Sequence, residues 1–150
     1  MRPLTSKVFP LPAILTLTLG VLIPGKAMSA QALECPKELP ATSFQLANAP
    51  PGWRFFAELP LYLHAAEPMS GPPEQLGHLI EDSVKKNKDQ WTYTYTLDGP
   101  FPNGKWLLCS YGAHSEMTLS KRISDETQMC KISYRKGSKA EQREINIHCE

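Results

Sequence analysis

The chain has 150 residues with 16 basic and 15 acidic side chains, which give a formal net charge of +1. This length suits one domain, and the balanced charge excludes the strongly basic surface with which proteins commonly bind nucleic acid. The only concentrated charge is the run of three lysines within residues 85–88, which predicts a solvated loop rather than a phosphate site.

The first 32 residues have the pattern of a secretory signal peptide. A short basic start precedes the eleven-residue apolar run AILTLTLGVLI, and a proline and a glycine then break any helix. This run is too short to span a bilayer as a permanent helix of about 20 residues. We predict cleavage after Ala32, or after Ser29, which leaves residues 33–150 as one exported domain without a stable membrane anchor. That domain carries 13 basic and 15 acidic residues.

The beginning of the exported domain has few strand signals. The segment CPKELPATSFQLANAPPGW is proline-rich and weakly periodic. Two short apolar stretches follow, residues 53–58 and 61–66, and predict strands separated by a kink at Pro60, because proline cannot donate a ladder hydrogen bond. Residues 71–90 lack strand alternation and predict a long loop with at most one helical turn.

The pattern changes to strict alternation at Trp91. Trp91, Tyr93, Tyr95 and Leu97 share one face of a strand, with threonines on the other face. Four more such runs follow, so residues 91–149 predict five antiparallel strands in a meander. We expect a single all-β domain whose sheet of about five to seven strands curves into a small sandwich or open barrel.

The four cysteines predict two disulfides. An even number of cysteines in an exported chain is typical of a disulfide framework, and three pairings are open. A hairpin centred on GSKAEQ aligns three residue pairs on one register, and one of these pairs is Cys130 with Cys149. This register favours that bond and leaves Cys35 to bond Cys109. We predict no metal site, because the sequence has no C-x-x-C pair and its histidines are scattered.

The stretch SGPPEQLG, residues 70–77, predicts a stiff turn. A glycine permits the turn, Pro72 and Pro73 restrict the backbone after it, and Glu74 and Gln75 follow. A stiff projecting loop suits partner recognition, because little entropy is lost when it is immobilised. It also suits plain chain reversal. We take Pro72, Pro73, Glu74 and Gln75 as the candidate partner-binding residues.

The sequence contains no motif of catalysis such as a G-x-S-x-G turn. Carboxylates around the Gly71–Glu74 loop leave an envelope hydrolase open as an alternative, because such enzymes use paired carboxyl groups. The candidates are Glu58, Glu67, Glu74, Glu81 and Asp82. A small-ligand carrier lined by Trp53, Trp91 and Trp106 is a further alternative, although aromatic residues of a small β domain more often pack in its core. We predict no catalytic residue and no cofactor.

Several short pieces follow one another in a fixed order along the exported domain. They are Cys35-Pro36, Gly52-Trp53, GPPE at residues 71–74, Trp91, WLLCSYG at residues 106–112, Leu119, Cys130 and the C-terminal INIHC. In order and spacing they resemble the STY-locus family of small exported proteins of Gram-negative bacteria, most of which have no known function. The resemblance covers essentially the whole exported domain.

This resemblance implies a periplasmic or secreted protein with no catalytic residues to carry over. The association of such relatives with genes of secreted effectors implies an immunity or inhibitor protein. We therefore expect a non-enzymatic binding protein whose partner is a toxin or another envelope protein, and no nucleic acid. One departure from the family pattern concerns the shape of the loop after Glu74: this chain has Ile80-Glu81-Asp82 where a proline is expected before the aspartate.

Overall fold

The computed structural model describes residues 33–150, so the predicted signal peptide lies outside the described residues. This part of the chain contains eight strands and two short 3-10 turns, and no α-helix occurs in it. The strands are β1 (Glu38–Leu39), β2 (Leu61–Ser70), β3 (Ser83–Asn87), β4 (Gln90–Thr96), β5 (Lys105–Tyr111), β6 (Met117–Arg122), β7 (Met129–Lys136) and β8 (Arg143–Cys149). The 3-10 turns are Ala41–Ser43 and Pro73–Gln75.

The strands form two antiparallel sheets of four strands each. The first sheet has the order β1-β2-β5-β6 and the second has the order β3-β4-β7-β8. One hydrophobic core contains residues of both sheets, so the two sheets pack against each other. The predicted all-β class is confirmed, and the sheets stay open rather than closing into a barrel.

The five strands predicted in residues 91–149 are present, but they do not lie side by side in one sheet. After β4 the chain crosses to the first sheet, forms the hairpin of β5 and β6, and returns so that β7 pairs with β4. An alternating pattern identifies a strand and its buried face. The pattern does not depend on which strand lies alongside, so it does not predict strand order. The predicted face of β4 is confirmed, because Tyr95 and the following Leu97 are buried.

The sequence interpretation is wrong at two places before Trp91. Residues 53–58, which it predicts to be a strand, have no regular structure, whereas the second stretch extends to Ser70 as β2. Residues 83–87, inside the predicted long loop, form β3 and include two of the lysines assigned to a solvated loop. All five residues of β3 are exposed, and a strand with neither face buried has no apolar alternation to reveal it.

The core lies between the inward faces of β2 and β5 on one side and β4, β7 and β8 on the other. Its buried members include Leu63, Ala66, Tyr95, Leu97, Leu107, Cys109, Tyr111, Cys130, Ile132 and Tyr134. The core residues of β5 and β7 alternate along their strands, as expected for a face against the core, whereas Leu63 and Ala66 of β2 are three residues apart because the register shifts between Leu63 and Ala65. The burial of each such side chain stabilises the fold by roughly 1.5–3 kcal/mol.

Both predicted disulfides are present. Cys130 and Cys149 face each other in the ladder of β7 and β8, with Cα atoms 4.1 Å apart. Cys35 bonds to Cys109 with a Cα separation of 5.8 Å, and this bond ties the segment before β1 to the middle of β5. No cysteine is free. The hairpin register inferred from the sequence is therefore the observed one.

Candidate partner-binding surface

The chain leaves β2 through a tight turn, which we call the proline turn (residues 71–76). Gly71 begins it with a φ of 82°, and its N–H donates to the carbonyl of Gly104 at 2.9 Å. A Cβ atom on Gly71 would lie 2.2 Å from the side-chain oxygen of Gln75. The positive φ therefore favours glycine at this position, and a Cβ there would also displace the Gln75 side chain.

Two prolines and a hydrogen-bonded glutamine make the proline turn rigid. Pro72 and Pro73 restrict the backbone, the N–H of Gln75 donates to Pro72 O at 3.0 Å, and the N–H of Leu76 donates to Pro73 O at 3.0 Å. The side-chain amide of Asn103 donates to Gln75 Oε1 at 3.0 Å. The turn is thus braced against the loop between β4 and β5. Of the predicted contact residues, Gln75 has a structural partner.

The proline turn exposes Glu74, Gln75 and Leu76 to solvent, and of these three Gln75 is the one whose side chain is hydrogen-bonded within the described residues. No side chain of residues 33–150 forms a hydrogen bond or ion pair with the Glu74 carboxylate. Leu76 has a φ of 54° and a ψ of 31°, and it is 73% exposed. A left-handed conformation costs a residue with a Cβ roughly 1–2 kcal/mol. Sequence reasoning missed Leu76, because a positive φ at a leucine has no sequence signal.

The segment after the proline turn is tied to the end of β4 by Asp82. Its N–H donates to Thr94 O at 2.9 Å, and its carboxylate accepts a hydrogen bond from the N–H of Thr96. Ile80, two residues earlier, is 88% exposed. In the Ile80-Glu81-Asp82 sequence the Ile80 side chain is therefore exposed to solvent, whereas Asp82 is hydrogen-bonded to β4.

Two of the carboxylates that left a hydrolase open have local partners. Glu67 Oε1 lies 2.6 Å from His78 Nδ1, and Asp82 is occupied by Thr96. In residues 33–150 no three His, Cys, Asp or Glu side chains lie close enough together to hold a metal ion. No helix of the described residues is long and apolar enough to cross a membrane.

The three tryptophans lie on different elements. Trp91 of β4 stacks on Tyr134 with ring centroids 5.6 Å apart, as expected for packing at the core. Trp106 of β5 is half-buried, and its indole N–H donates to Asn103 O at 3.1 Å. Trp53 is 75% exposed on the loop before β2, so the prediction of a core position is wrong for this residue.

A family comparison decides the class of protein. The model of the type VI secretion system Tli immunity protein family matches residues 58–150. The chain belongs to this family. The match includes the proline turn, seven of the eight strands and the hairpin disulfide, and it begins after β1 and Cys35. Comparisons with curated proteins and with solved structures give no match.

Membership in the Tli immunity protein family confirms the predicted function as an immunity or inhibitor protein for a secreted toxin. It also implies a toxin as the protein partner. The coarser part of the sequence resemblance, a small family related to secreted effectors, agrees with the match, whereas the STY-locus name stays a prediction.

Proposed function

We propose that this Tli immunity protein acts in the periplasm, binds a toxin delivered by type VI secretion without catalysing a reaction, and uses the proline turn as a contact. The proposal divides the predicted contact residues into two groups. Pro72, Pro73 and Gln75 hold the turn in shape, and Glu74 meets the toxin together with Leu76.

The disulfides support the proposed location in the periplasm. Two disulfides that involve all four cysteines are typical of proteins in an oxidising compartment. The signal-peptide pattern of residues 1–32 accounts for how the chain reaches such a compartment, and cleavage there leaves residues 33–150 as the working domain. A toxin that acts in the envelope is accessible to a protein located on that side of the inner membrane.

The conformation of Leu76 is the observation that supports the contact. A leucine that is both exposed and in the left-handed region contributes nothing to the core and strains the backbone. Strained residues of this kind concentrate at binding sites, where the surrounding structure holds them in place. Here that structure is the hydrogen-bonded brace through Gln75 and Gly71. A contact held in this way loses little entropy on binding.

The function is tested by competition between bacterial cells. Recipient cells of the source strain that lack this gene are grown with parent cells whose type VI system is active. We expect the recipients to be killed, and to survive when they carry the gene with residues 1–32. A gene that encodes only residues 33–150 without an export signal should give no protection. Parent cells with an inactivated secretion apparatus are the control, and equal survival of all recipients would contradict the proposal.

A further inference from the structure

The longest irregular segment of the described chain, residues 40–60, is a loop with a closed base. Leu39 and Leu61, which flank it, are partners in the ladder of β1 and β2, and the N–H of Leu63 donates to Lys37 O at 3.0 Å. The loop contains only the 3-10 turn Ala41–Ser43. Irregular loops longer than about 12–15 residues are uncommon in small domains and are usually functional or disordered. We call this segment the 40–60 loop.

The 40–60 loop presents apolar side chains to solvent and almost no charge. Arg54 and Glu58 are its only charged residues. Its large exposed apolar side chains are Leu46, Trp53, Phe55, Phe56 and Leu59, with Phe56 the most exposed at 83%. Together these side chains expose on the order of 600 Å² of surface, compared with the roughly 800 Å² that each partner contributes to a standard protein interface.

A tight turn fixes the chain just before the aromatic residues. The N–H of Trp53 donates to Pro50 O at 3.0 Å, and Gly52 between them has a φ of 83°. Proline at the second and glycine at the third position of a four-residue turn are typical of type II geometry. Because the two ends of the loop are also fastened, the aromatic residues start from a restricted conformation and lose less entropy when a partner immobilises them.

The composition of the 40–60 loop matches the centre of a protein interface. Such centres are poor in charged residues and rich in tryptophan, phenylalanine and arginine, the types found at Trp53, Arg54, Phe55 and Phe56. An anionic membrane surface is instead met by clusters of basic residues, and this loop has one arginine balanced by Glu58. A protein with an apolar pocket is therefore the partner that this loop fits.

We infer that the 40–60 loop is a second toxin-binding element, in which Trp53 and Phe56 enter an apolar pocket of the toxin. The inference rests on the proposed function, because it takes the toxin as the partner. Residues 40–57 precede the part of the chain that matches the family, so this loop supplies contacts beyond the shared fold and contributes to the choice of toxin. It leads into β2, whereas the proline turn follows the other end of that ten-residue strand, roughly 33 Å away.

The inference is tested with the double substitution Trp53→Ser/Phe56→Ser. The matched control is Met117→Thr/Leu119→Thr, which removes two partly exposed apolar side chains from β6. The binding probe is a catalytically inactive form of the secreted toxin against which this gene protects recipient cells, and the protection assay uses parent cells with active type VI secretion. Thermal unfolding of each variant reports on the fold.

We expect Trp53→Ser/Phe56→Ser to raise the Kd for the toxin at least about 100-fold and to abolish protection with an unchanged Tm, while the control changes neither. A Kd within twofold of wild type overturns the inference. If the double variant lowers the Tm, the variant Trp53→Phe provides the test. Toxin binding should shift the tryptophan emission of the wild-type protein to shorter wavelength. An equal shift in the Trp53→Phe variant overturns the inference.

Other occupants of the loop give different results. A dimer in sedimentation that Trp53→Ser/Phe56→Ser dissociates, with protection intact, overturns the inference in favour of a second copy of this chain. Loop-dependent binding to vesicles of phosphatidylethanolamine and phosphatidylglycerol, with toxin affinity unchanged, overturns it in favour of a membrane. If wild type itself neither binds toxin nor protects, the proposed function fails; if wild type and the double variant protect equally, only the second element fails.

Discussion

The hydroxyl of Tyr134 in β7 donates a hydrogen bond to the carbonyl of Ala66 in β2, and this bond joins the two sheets through the core. The N–H of Ala66 also donates to the Tyr134 hydroxyl oxygen, at 3.4 Å. Tyr111 provides a contrast, because its hydroxyl is buried and has no hydrogen-bond partner in residues 33–150. The core thus contains one tyrosine hydroxyl that connects the sheets and one that bonds to nothing in the described chain.

This contrast predicts opposite effects of removing the two hydroxyl groups. Tyr134→Phe should lower the free energy of unfolding by about 1–3 kcal/mol, because it leaves the backbone of Ala66 buried without its partner. Tyr111→Phe should leave stability unchanged or raise it, because it removes a polar atom that has been desolvated without compensation. Urea unfolding of both variants checks this. Equal losses would show that Tyr111 also has a partner, such as a buried water.

Alkaline pH should destabilise the domain through its buried tyrosines. Burial raises the pKa of Tyr134 and that of Tyr111 to about 12, above the value near 10 of an unfolded chain. A raised pKa means that the folded state holds the proton more tightly, so this contribution is complete below about pH 10 and is lost as pH rises toward 12. Unfolding free energies measured from pH 8 to 12 should fall in that window.

An absorbance titration at about 295 nm measures the same groups directly. Some of the five tyrosines should ionise only well above pH 10 in the folded protein, and all of them near pH 10 in strong denaturant. A single step near pH 10 in the folded protein would contradict the burial of Tyr111 and Tyr134.

The two disulfides should contribute unequally to stability. Replacing Cys35 and Cys109 by serine opens a loop with a sequence separation of 74 and should cost about 4 kcal/mol by the loop-entropy model. The same change at Cys130 and Cys149, with a separation of 19, should cost about 3 kcal/mol. Denaturant unfolding of both variants checks the order. Thiol titration of the unfolded, unreduced wild type should find no reactive thiol, and two per chain would contradict the framework.

Leu76→Asn should separate stability from function. Asparagine adopts the left-handed region at lower cost than leucine, so the unfolding free energy should rise by about 0.5–1 kcal/mol. Affinity for the toxin should fall, because the exposed leucine side chain is lost. A shift of Tm to higher temperature together with reduced protection is the expected pair of results. A variant that is less stable than wild type would mean that Leu76 has a structural role.

Single substitutions should also separate the two polar residues of the proline turn. Glu74→Ala should weaken toxin binding while the unfolding free energy changes by less than about 0.5 kcal/mol, since Glu74 is exposed. Gln75→Ala should lower the unfolding free energy by about 0.5–1.5 kcal/mol, because the hydrogen bond from Asn103 that braces the turn is lost, although both side chains are exposed. Calorimetry of binding and thermal unfolding of each variant distinguish the roles. Unchanged affinity in both variants would place the contact elsewhere.

The sequence by itself determined the elements that depend on local chemistry. Alternation along β4, β7 and β8 was sufficient to assign the strands and their core-facing side, because a strand places every second side chain on the same side. β5 differs, because residues on both of its faces are buried. The same alternation put Cys130 opposite Cys149, and the remaining pair followed by elimination. Glycine and proline likewise marked the proline turn, since their backbone restrictions are intrinsic.

Only the tertiary structure decided which strands pair and which side chains stay in solvent. β4 pairs with β7 rather than with β5, although nothing in either strand distinguishes the two neighbours. Trp53 resembles a core residue by type, yet it lies in the irregular 40–60 loop and is 75% exposed. Leu76 adopts a left-handed conformation at the end of a 3-10 turn whose Gln75 is hydrogen-bonded to the distant Asn103. Burial and strain depend on residues distant in the chain, so local sequence patterns do not determine them.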